Sequence, residues 1–390
     1  MTGVSRHYAL AAGGTGGHMI PAYALARELI ARGHRVMLIT DARGEAIPGL
    51  PDGTERHVLP AGRMQGGIMA RIRAVLSILR GRSLAKGLFD DFRPEAVVGF
   101  GGYPALPTLL AARSLRIPSV IHEQNAVLGR VNRFLAGGAA AIATSYEKVE
   151  RLPNAAAGKV HLVGNPVRAE VLTLRDQPFP PLGTDGLLRI LVTGGSQGAR
   201  ILSQVVPEGL AMLPEHLRHR LQVTQQCRPE DIDDVRASYA EHEIPAELGT
   251  YFENMAARLA DAHLFIGRAG ASTIAELTAV GRPAVLIPLA IATDDHQAAN
   301  TADIVKAGGA RAIREKAFNA DELARQIEAM AAEPDALANA AHQAWNCGRP
   351  DAAKDLADLV EGFGGSPMMD VIRVGKTNGA KRGALSGAKA

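Results

Sequence analysis

The run Gly13-Gly14-Thr15-Gly16-Gly17, followed by His18, places two chemistries in one short stretch. Glycines between an apolar run and a helical segment let the backbone approach a phosphate closely. The helix N-terminus then offers unpaired N–H groups and the positive end of a dipole. An imidazole at the mouth of such a turn is suited to take a proton from an attacking hydroxyl, because its pKa lies near neutral pH. A capping or packing role for His18 is the alternative. No Gly-Lys-Ser/Thr follows, so the run is not a P-loop. The dinucleotide pattern G-x-G-x-x-G finds Met19 where its third glycine belongs. Asp41 still ends the second apolar run, where a dehydrogenase would hold ribose, and that reading stays open as an alternative.

The second half of the chain repeats the device. Gly194-Gly195-Ser196-Gln197-Gly198 follows the apolar run Leu188–Thr193, and its backbone amides and the Ser196 hydroxyl suit a phosphate. Gly267-Arg268-Ala269-Gly270-Ala271-Ser272-Thr273 opens another helix, where a diphosphate gains roughly 0.3–1 kcal/mol per charge. Glu276, on the first turns of that helix, is placed to accept hydrogen bonds from ribose hydroxyls; a dipole-favoured surface acid is the alternative. Three further polar clusters end apolar runs: Gly101-Gly102-Tyr103, His122-Glu123-Gln124-Asn125 and Asp294-Asp295-His296-Gln297. Such groups are costly to bury without partners and suit sugar hydroxyls. Asp231-Ile232-Asp233 has the Asp-x-Asp form of metal-dependent transferases, but it falls in a charged stretch read as a solvated helix face. No metal and no cofactor are expected.

These sites need a scaffold that gathers strand ends. Short apolar runs at His7–Ala12, Val36–Thr40, Ala96–Phe100, Ser119–His122, Ala141–Ala143 and Val160–Val163 alternate with helical segments, the first about Ile20–Arg32. That alternation predicts βαβ units and a parallel sheet. The Pro- and Gly-rich stretch Arg175–Gly186 interrupts it. The pattern then restarts with strands at Leu188–Thr193, Arg220–Thr224, Ala262–Ile266 and Ala284–Pro288. Two α/β halves follow, each opening strand, glycine turn, helix.

Composition agrees with a folded enzyme: 390 residues, 47% hydrophobic, 21% charged and net charge +3. The two cysteines have no disulfide or metal-ligand pattern and point to a reducing compartment. No signal peptide and no membrane-spanning run are expected. Nor is nucleic acid expected as a partner, since no basic block is interleaved with aromatics. Ile68, Met69, Ile72, Val75, Leu76 and Leu79 recur at helical spacing among Arg71, Arg73, Arg80, Arg82 and Lys86. That helix either lies on an anionic membrane or packs on its own core.

The strings AAGGTGGHMIPA, VGFGGYPALP, HEQNAVLGRVNR, GNPVR, VTGGSQGAR, GRAGASTIAEL and DDHQAAN occur in this order from Ala11 to Asn300. Together they resemble the MurG family of N-acetylglucosaminyltransferases. The resemblance implies a GT-B fold, two Rossmann-like parallel-sheet domains facing across a cleft. It implies transfer of N-acetylglucosamine, with inversion, from UDP-GlcNAc to the 4-hydroxyl of undecaprenyl-diphospho-N-acetylmuramoyl-pentapeptide. It places such a protein on the cytoplasmic face of the bacterial inner membrane, beside cell-wall synthesis and division proteins.

Tyr103, at its strand end, is counted with the substrate-binding residues; carried over by position, Thr15, Gly16 and Gly17 would approach the sugar and diphosphate. Asn125 would bond the donor sugar, and Arg168 and Ser196 the nucleotide. Phe252 would hold uracil through its backbone. Ala271, Ser272 and Thr273 would bind diphosphate, Glu276 the ribose and Gln297 the sugar hydroxyls. His18 would be the general base, with Glu123 in reserve. Family members often carry two glutamines at the last position, where this chain has His296-Gln297. The expected domains are 1–165, a linker 166–186, 187–345, a helix within 346–363 crossing back to the first half, and a disordered basic tail 364–390. Two other readings stay open: a sugar-nucleotide epimerase of the same fold, and a non-catalytic UDP-sugar-binding membrane module.

Overall fold

Seven apolar or alternating segments of the first half form one parallel sheet: β1 (His7–Ala11), β2 (Arg35–Thr40), β3 (Thr54–Val58), β4 (Ala96–Gly99), β5 (Ser119–Glu123), β6 (Ala141–Thr144) and β7 (Val160–Leu162). Their order is β3-β2-β1-β4-β5-β6-β7. In this computed structural model, residues 5–60, 67–183, 186–195, 198–290, 293–331, 333 and 335–363 are described. The basic tail foreseen at 364–390 lies outside them. The second sheet contains β8 (Leu188–Thr193), β9 (Leu221–Gln226), β10 (Ala246–Gly249), β11 (Leu264–Gly267), β12 (Ala284–Leu286) and β13 (Ala310–Ala312), in the order β10-β9-β8-β11-β12-β13.

Both sheets reverse direction beside their first strand. The chain runs outward from β1 to β3, then returns to pair β4 on the other side of β1. It does the same with β8 and β11. At such a switch point the loops after the two central strands part and leave a crevice at their carboxyl ends. The glycine turns sit at these places: Gly13–Gly17 after β1, Gly101-Gly102 after β4, Gly194-Gly195 after β8 and the Gly270 segment after β11. Central strands such as β4 and β11 are buried along their whole length, which accounts for their continuous apolar sequence.

The chain crosses between halves twice. Val163 belongs to the first core and Val167 to the second; later, Ala344 belongs to the second and Leu356 to the first. The final helix, Ala352–Glu361, buries Leu356, Ala357 and Val360 against the first helix, Gly16–Ala31. Burial of a Leu or Val side chain contributes roughly 1.5–3 kcal/mol. Arg32 fastens the seam, bonding Asp358 at 2.5 Å and Glu361 at 2.8 Å, while His34 meets Glu361 at 2.7 Å. The stretch expected as a linker contains a helical turn, Ala169–Leu172, whose Val171 is fully buried in the second core.

The helix Ile68–Phe92 has two apolar faces. Ala74 is buried, and Ile78, Ala85 and Phe89 join the first core. Met69, Ile72, Val75, Leu76, Leu79 and Leu84 are exposed, with Arg73 and Arg80 among them. The apolar stripe read from the sequence therefore faces outward from Met69 to Leu79. Among the described residues no helix is long and apolar enough to cross a membrane.

Two rings make the fold acid-sensitive. His122 and His263 are fully buried, and burial pushes each pKa down to about 4. A depressed histidine pKa means that the unfolded chain takes up protons first. Stability is therefore complete above about 6.5 and is lost as pH falls toward 4. We expect each ring to remove about 2 kcal/mol between pH 7 and 5. Urea unfolding at the two pH values measures the change, and His263→Asn, which retains an acceptor for the Arg189 amide, should remove about 2 kcal/mol of it.

Candidate active site

On the first half, the helix Gly16–Ala31 starts one turn earlier than the apolar pattern suggested, so His18 stands in its first turn. Thr15 is its N-cap residue and is exposed; Gly16 and Gly17 follow it with little side-chain cover. The half-buried His18 ring lies against Gly101 and Gly102, whose φ values of 88° and 73° favour glycine. A Cβ on either residue would come within 3.4 Å of the ring. His18 Nδ1 meets Gln124 Oε1 at 3.1 Å. Burial lowers the His18 pKa; Glu123, Gln124 and the Phe100 backbone oppose that shift, and His296 across the cleft adds to it. The ring is neutral at neutral pH and can accept a proton. Tyr103 is half-buried on the helix that begins at Gly102.

Glu123, the reserve base suggested by the sequence, is closely engaged by its own loop. It is buried, and its carboxylate accepts four hydrogen bonds: from the Asn125 amide at 3.1 Å, Asn125 Nδ2 at 3.2 Å, the Gly129 amide at 2.8 Å and Asn132 Nδ2 at 2.8 Å. A carboxylate so engaged shapes the loop after β5. Asp41 likewise serves the backbone. Its Oδ1 accepts from the Gly14 and Gly44 amides, each at 2.9 Å, and Arg43 covers its Oδ2 at 3.1 Å.

On the second half, the helix Ala271–Val280 points its N-terminus at the cleft, with Gly270 as N-cap. Ala271 is buried, Ser272 and Thr273 are half-buried, and Ser272 Oγ is shielded with no partner among the described residues. A helix N-terminus with a shielded hydroxyl suits an anion. Glu276 is not a surface acid. It is 9% exposed and clasped by Arg168 through two bonds of 2.8 and 2.9 Å. Phe252, in the turn after β10, is buried under the Arg258 guanidinium, 4.4 Å from the ring centre. Gln297 Oε1 accepts the Leu289 amide at 3.0 Å. Ser196 lies outside the described residues. Asp231 is buried at a helix start, not solvated, and no group of residues able to hold a metal occurs among the described ones.

The two sides are tied by Asn300, which sequence reasoning did not single out, and by Asp294, which it grouped with the candidates for sugar hydroxyls. Asn300 is fully buried; its Oδ1 accepts the Ala126 amide at 2.8 Å and its Nδ2 donates to Asn125 Oδ1 at 3.1 Å and to the Ala269 carbonyl at 3.2 Å. Asp294 accepts Arg133 at 2.7 Å and also pairs with Arg151. Asp294 and Asp295 have φ of 63° and 54°. Such non-glycine strain, about 1–3 kcal/mol each, persists where surrounding contacts over-determine it. The sequence signal for Asn300 was present in the string DDHQAAN, but only the fold brings it to Asn125.

The glycosyltransferase family 28 N-terminal domain matches residues 8–144, and the family 28 C-terminal domain matches 189–359. A relative from Erythrobacter litoralis is 68% identical over 97% of this chain and 95% of its own. One from Novosphingobium aromaticivorans is 68% identical over 98% and 99%. Both are named UDP-N-acetylglucosamine--N-acetylmuramyl-(pentapeptide) pyrophosphoryl-undecaprenol N-acetylglucosamine transferase. The crystal structure of Acinetobacter baumannii MurG superposes with a TM-score of 0.72 at 28% identity, covering 92% of this chain and 99% of that one.

Proposed function

Since the chain belongs to glycosyltransferase family 28 and, within it, to the MurG family, we propose that its cleft moves N-acetylglucosamine from UDP-GlcNAc to the 4-hydroxyl of a lipid-linked N-acetylmuramoyl-pentapeptide. The observation that carries this reading is the identity of 68% along nearly the whole chain with enzymes of that name. It favours the transferase over an epimerase or a binding module.

In the reaction the acceptor oxygen attacks C1 of the donor sugar on the face opposite UDP. The C1–O bond to the diphosphate breaks, the sugar inverts, and the hydroxyl proton passes to His18. Charge grows on the leaving diphosphate. The amides at Ala271–Thr273 and the Ser272 hydroxyl meet it at a helix N-terminus, a preorganised arrangement that needs no reorganisation during the step. Asn125 and Gln297 take sugar hydroxyls, Tyr103 lines the acceptor side, and Thr15, Gly16 and Gly17 admit the sugar and diphosphate to the first crevice. Glu276 and Arg168 act as a unit on ribose and the nucleotide, with Ser196 on the same ligand, and Phe252 presents its backbone to uracil.

The test is transfer of labelled N-acetylglucosamine onto the lipid-linked acceptor, with a no-acceptor control. Acceptor-dependent product is expected. Donor conversion without acceptor would indicate an epimerase; tight donor binding without chemistry would indicate a binding module.

The outward stripe of the helix Ile68–Phe92 supports docking on an anionic membrane, at the cytoplasmic face of the inner membrane and beside cell-wall synthesis and division proteins. Apolar side chains enter the headgroup boundary while Arg73 and Arg80 meet lipid charge. Leu76→Ser with Leu79→Ser should reduce co-sedimentation with vesicles containing phosphatidylglycerol by about tenfold, on the order of 1.4 kcal/mol, and leave thermal stability unchanged. Equal binding of the double variant would remove this face from the membrane.

A further inference from the structure

A chain of hydrogen bonds runs from His18 through the floor of the first sheet to the first crossing between the halves. His18 Nδ1 faces Gln124 Oε1 at 3.1 Å, Gln124 Nε2 faces His122 Nδ1 at 2.9 Å, and His122 Nε2 faces the Gly164 carbonyl at 2.9 Å. Gln124 is 2% exposed and His122 is fully buried, so water does not compete for these atoms.

The chain has one direction. A backbone carbonyl only accepts, so His122 must carry its proton on Nε2 to meet Gly164. Burial keeps that ring neutral, with its pKa pushed down to about 4, and its Nδ1 is therefore an acceptor. Gln124 must then present its NH2 group to His122. A second carbonyl demands the same orientation, because Gln124 Nε2 also donates to the His122 carbonyl at 3.2 Å. With the amide so fixed, Oε1 faces His18 and can only accept. Reversing the amide would set two acceptors against each other at 2.9 Å, at the Gly164 end.

We infer that Gln124 and His122 are positioning residues that hold His18 as the Nδ1–H tautomer, leaving the Nε2 lone pair to take the proton. The catalytic half of this inference rests on the reading of His18 as the base; the tautomer does not. The tautomer of a histidine is set by the partner of its other nitrogen, and a base with the wrong tautomer is present but idle. Nε2 lies on the side of Gly102, where a Cβ would stand 3.5 Å from it. When Nε2 takes the proton, Gln124 Oε1 continues to accept from Nδ1, and Glu123 and the Phe100 backbone favour the charged ring. The titratable groups acting on His18 are Glu123 and His122 beside it and His296 across the cleft.

The experiment is 15N NMR on the full chain with labelled histidine at pH 8, where the ring is neutral. The His18 signals are identified by their loss in His18→Gln. The wild type should show a pyrrole-like Nδ1 and a pyridine-like Nε2. Gln124→Met, which removes the acceptor, should move the ring toward the Nε2–H form, lower kcat by about tenfold or more and change KM for UDP-GlcNAc by less than about twofold. Gln124→Glu keeps an acceptor toward His18 but removes the donor to His122, so it should restore the Nδ1–H tautomer of His18 with only part of kcat. An Nε2–H ring in the wild type, or an unchanged tautomer in Gln124→Met, overturns the inference. A tautomer that follows the variants while kcat does not would uphold the relay and overturn His18 as the base.

Discussion

His18→Gln should lower kcat by about 10²–10⁴-fold, the usual contribution of a positioned acid–base group, while UDP affinity stays within about twofold. The separation follows from where the ring sits. His18 rests on Gly101 and Gly102 in the first half, whereas the helix Ala271–Val280 and the Glu276–Arg168 pair, proposed to bind the nucleotide, belong to the second half and the crossing. The pH profile gives an independent check. A base works when deprotonated, so kcat/KM rises with pH through its pKa. Burial holds the His18 pKa below its usual 6.5. The acid limb of the wild-type profile should therefore fall below pH 6.5, and this limb should be absent from the variant. Equal losses of turnover and UDP affinity would remove His18 from the base role and leave it as part of the binding surface.

Glu276→Ala should weaken UDP binding by about tenfold or more and also lower the melting temperature by a few degrees. Two bonds of 2.8 and 2.9 Å join it to Arg168. Its side chain is 12% exposed and that of Arg168 is 29% exposed. Removing one partner of a fully buried pair costs about 3–5 kcal/mol because the other charge is stranded. Arg168 keeps some contact with solvent, so about 2 kcal/mol is the expected loss here. Arg168 is also the residue that leads from the first crossing into the second core. A stranded guanidinium there disturbs the nucleotide side directly. Calorimetric titration with UDP and a thermal scan on one preparation read both effects. A lowered melting temperature with unchanged UDP affinity would make the carboxylate a strut for Arg168 and withdraw it from ribose.

The parts of this fold legible in the sequence are those written locally. A glycine turn between an apolar run and a helix marks a strand end whatever surrounds it, and both switch points announced themselves this way. Of the four edge strands only β7 was announced, as the run Val160–Val163. β3, TERHV, is largely exposed, and β13 spans only three residues, so neither carries the apolar run that marks a central strand. The site was legible as a set of polar strand ends, but not as a division of labour. Glu123 and His18 both look like bases in the sequence. Four donors converge on Glu123, two of them from Gly129 and Asn132 on the following loop and helix, and that convergence exists only in three dimensions. Asp41 occupied the expected position of a ribose acid, yet its carboxylate faces the Gly14 and Gly44 amides. Asn300 and Asn125 are 175 residues apart, and no local pattern relates them.

The final helix sets an order of assembly. Leu356, Ala357 and Val360 complete a core whose other members begin at Tyr8. As the chain leaves the ribosome, the first half emerges early but keeps an open apolar groove along the helix Gly16–Ala31 until the last of those residues appears. The second half, whose core draws on one continuous stretch from Val167 to Ala344, can close beforehand. Domains generally fold as units during synthesis, with the N-terminal one first; here the half made first is finished last. A nascent chain halted just before Ala352 would accordingly hold a protease-resistant second half joined to a first half that is still readily cut.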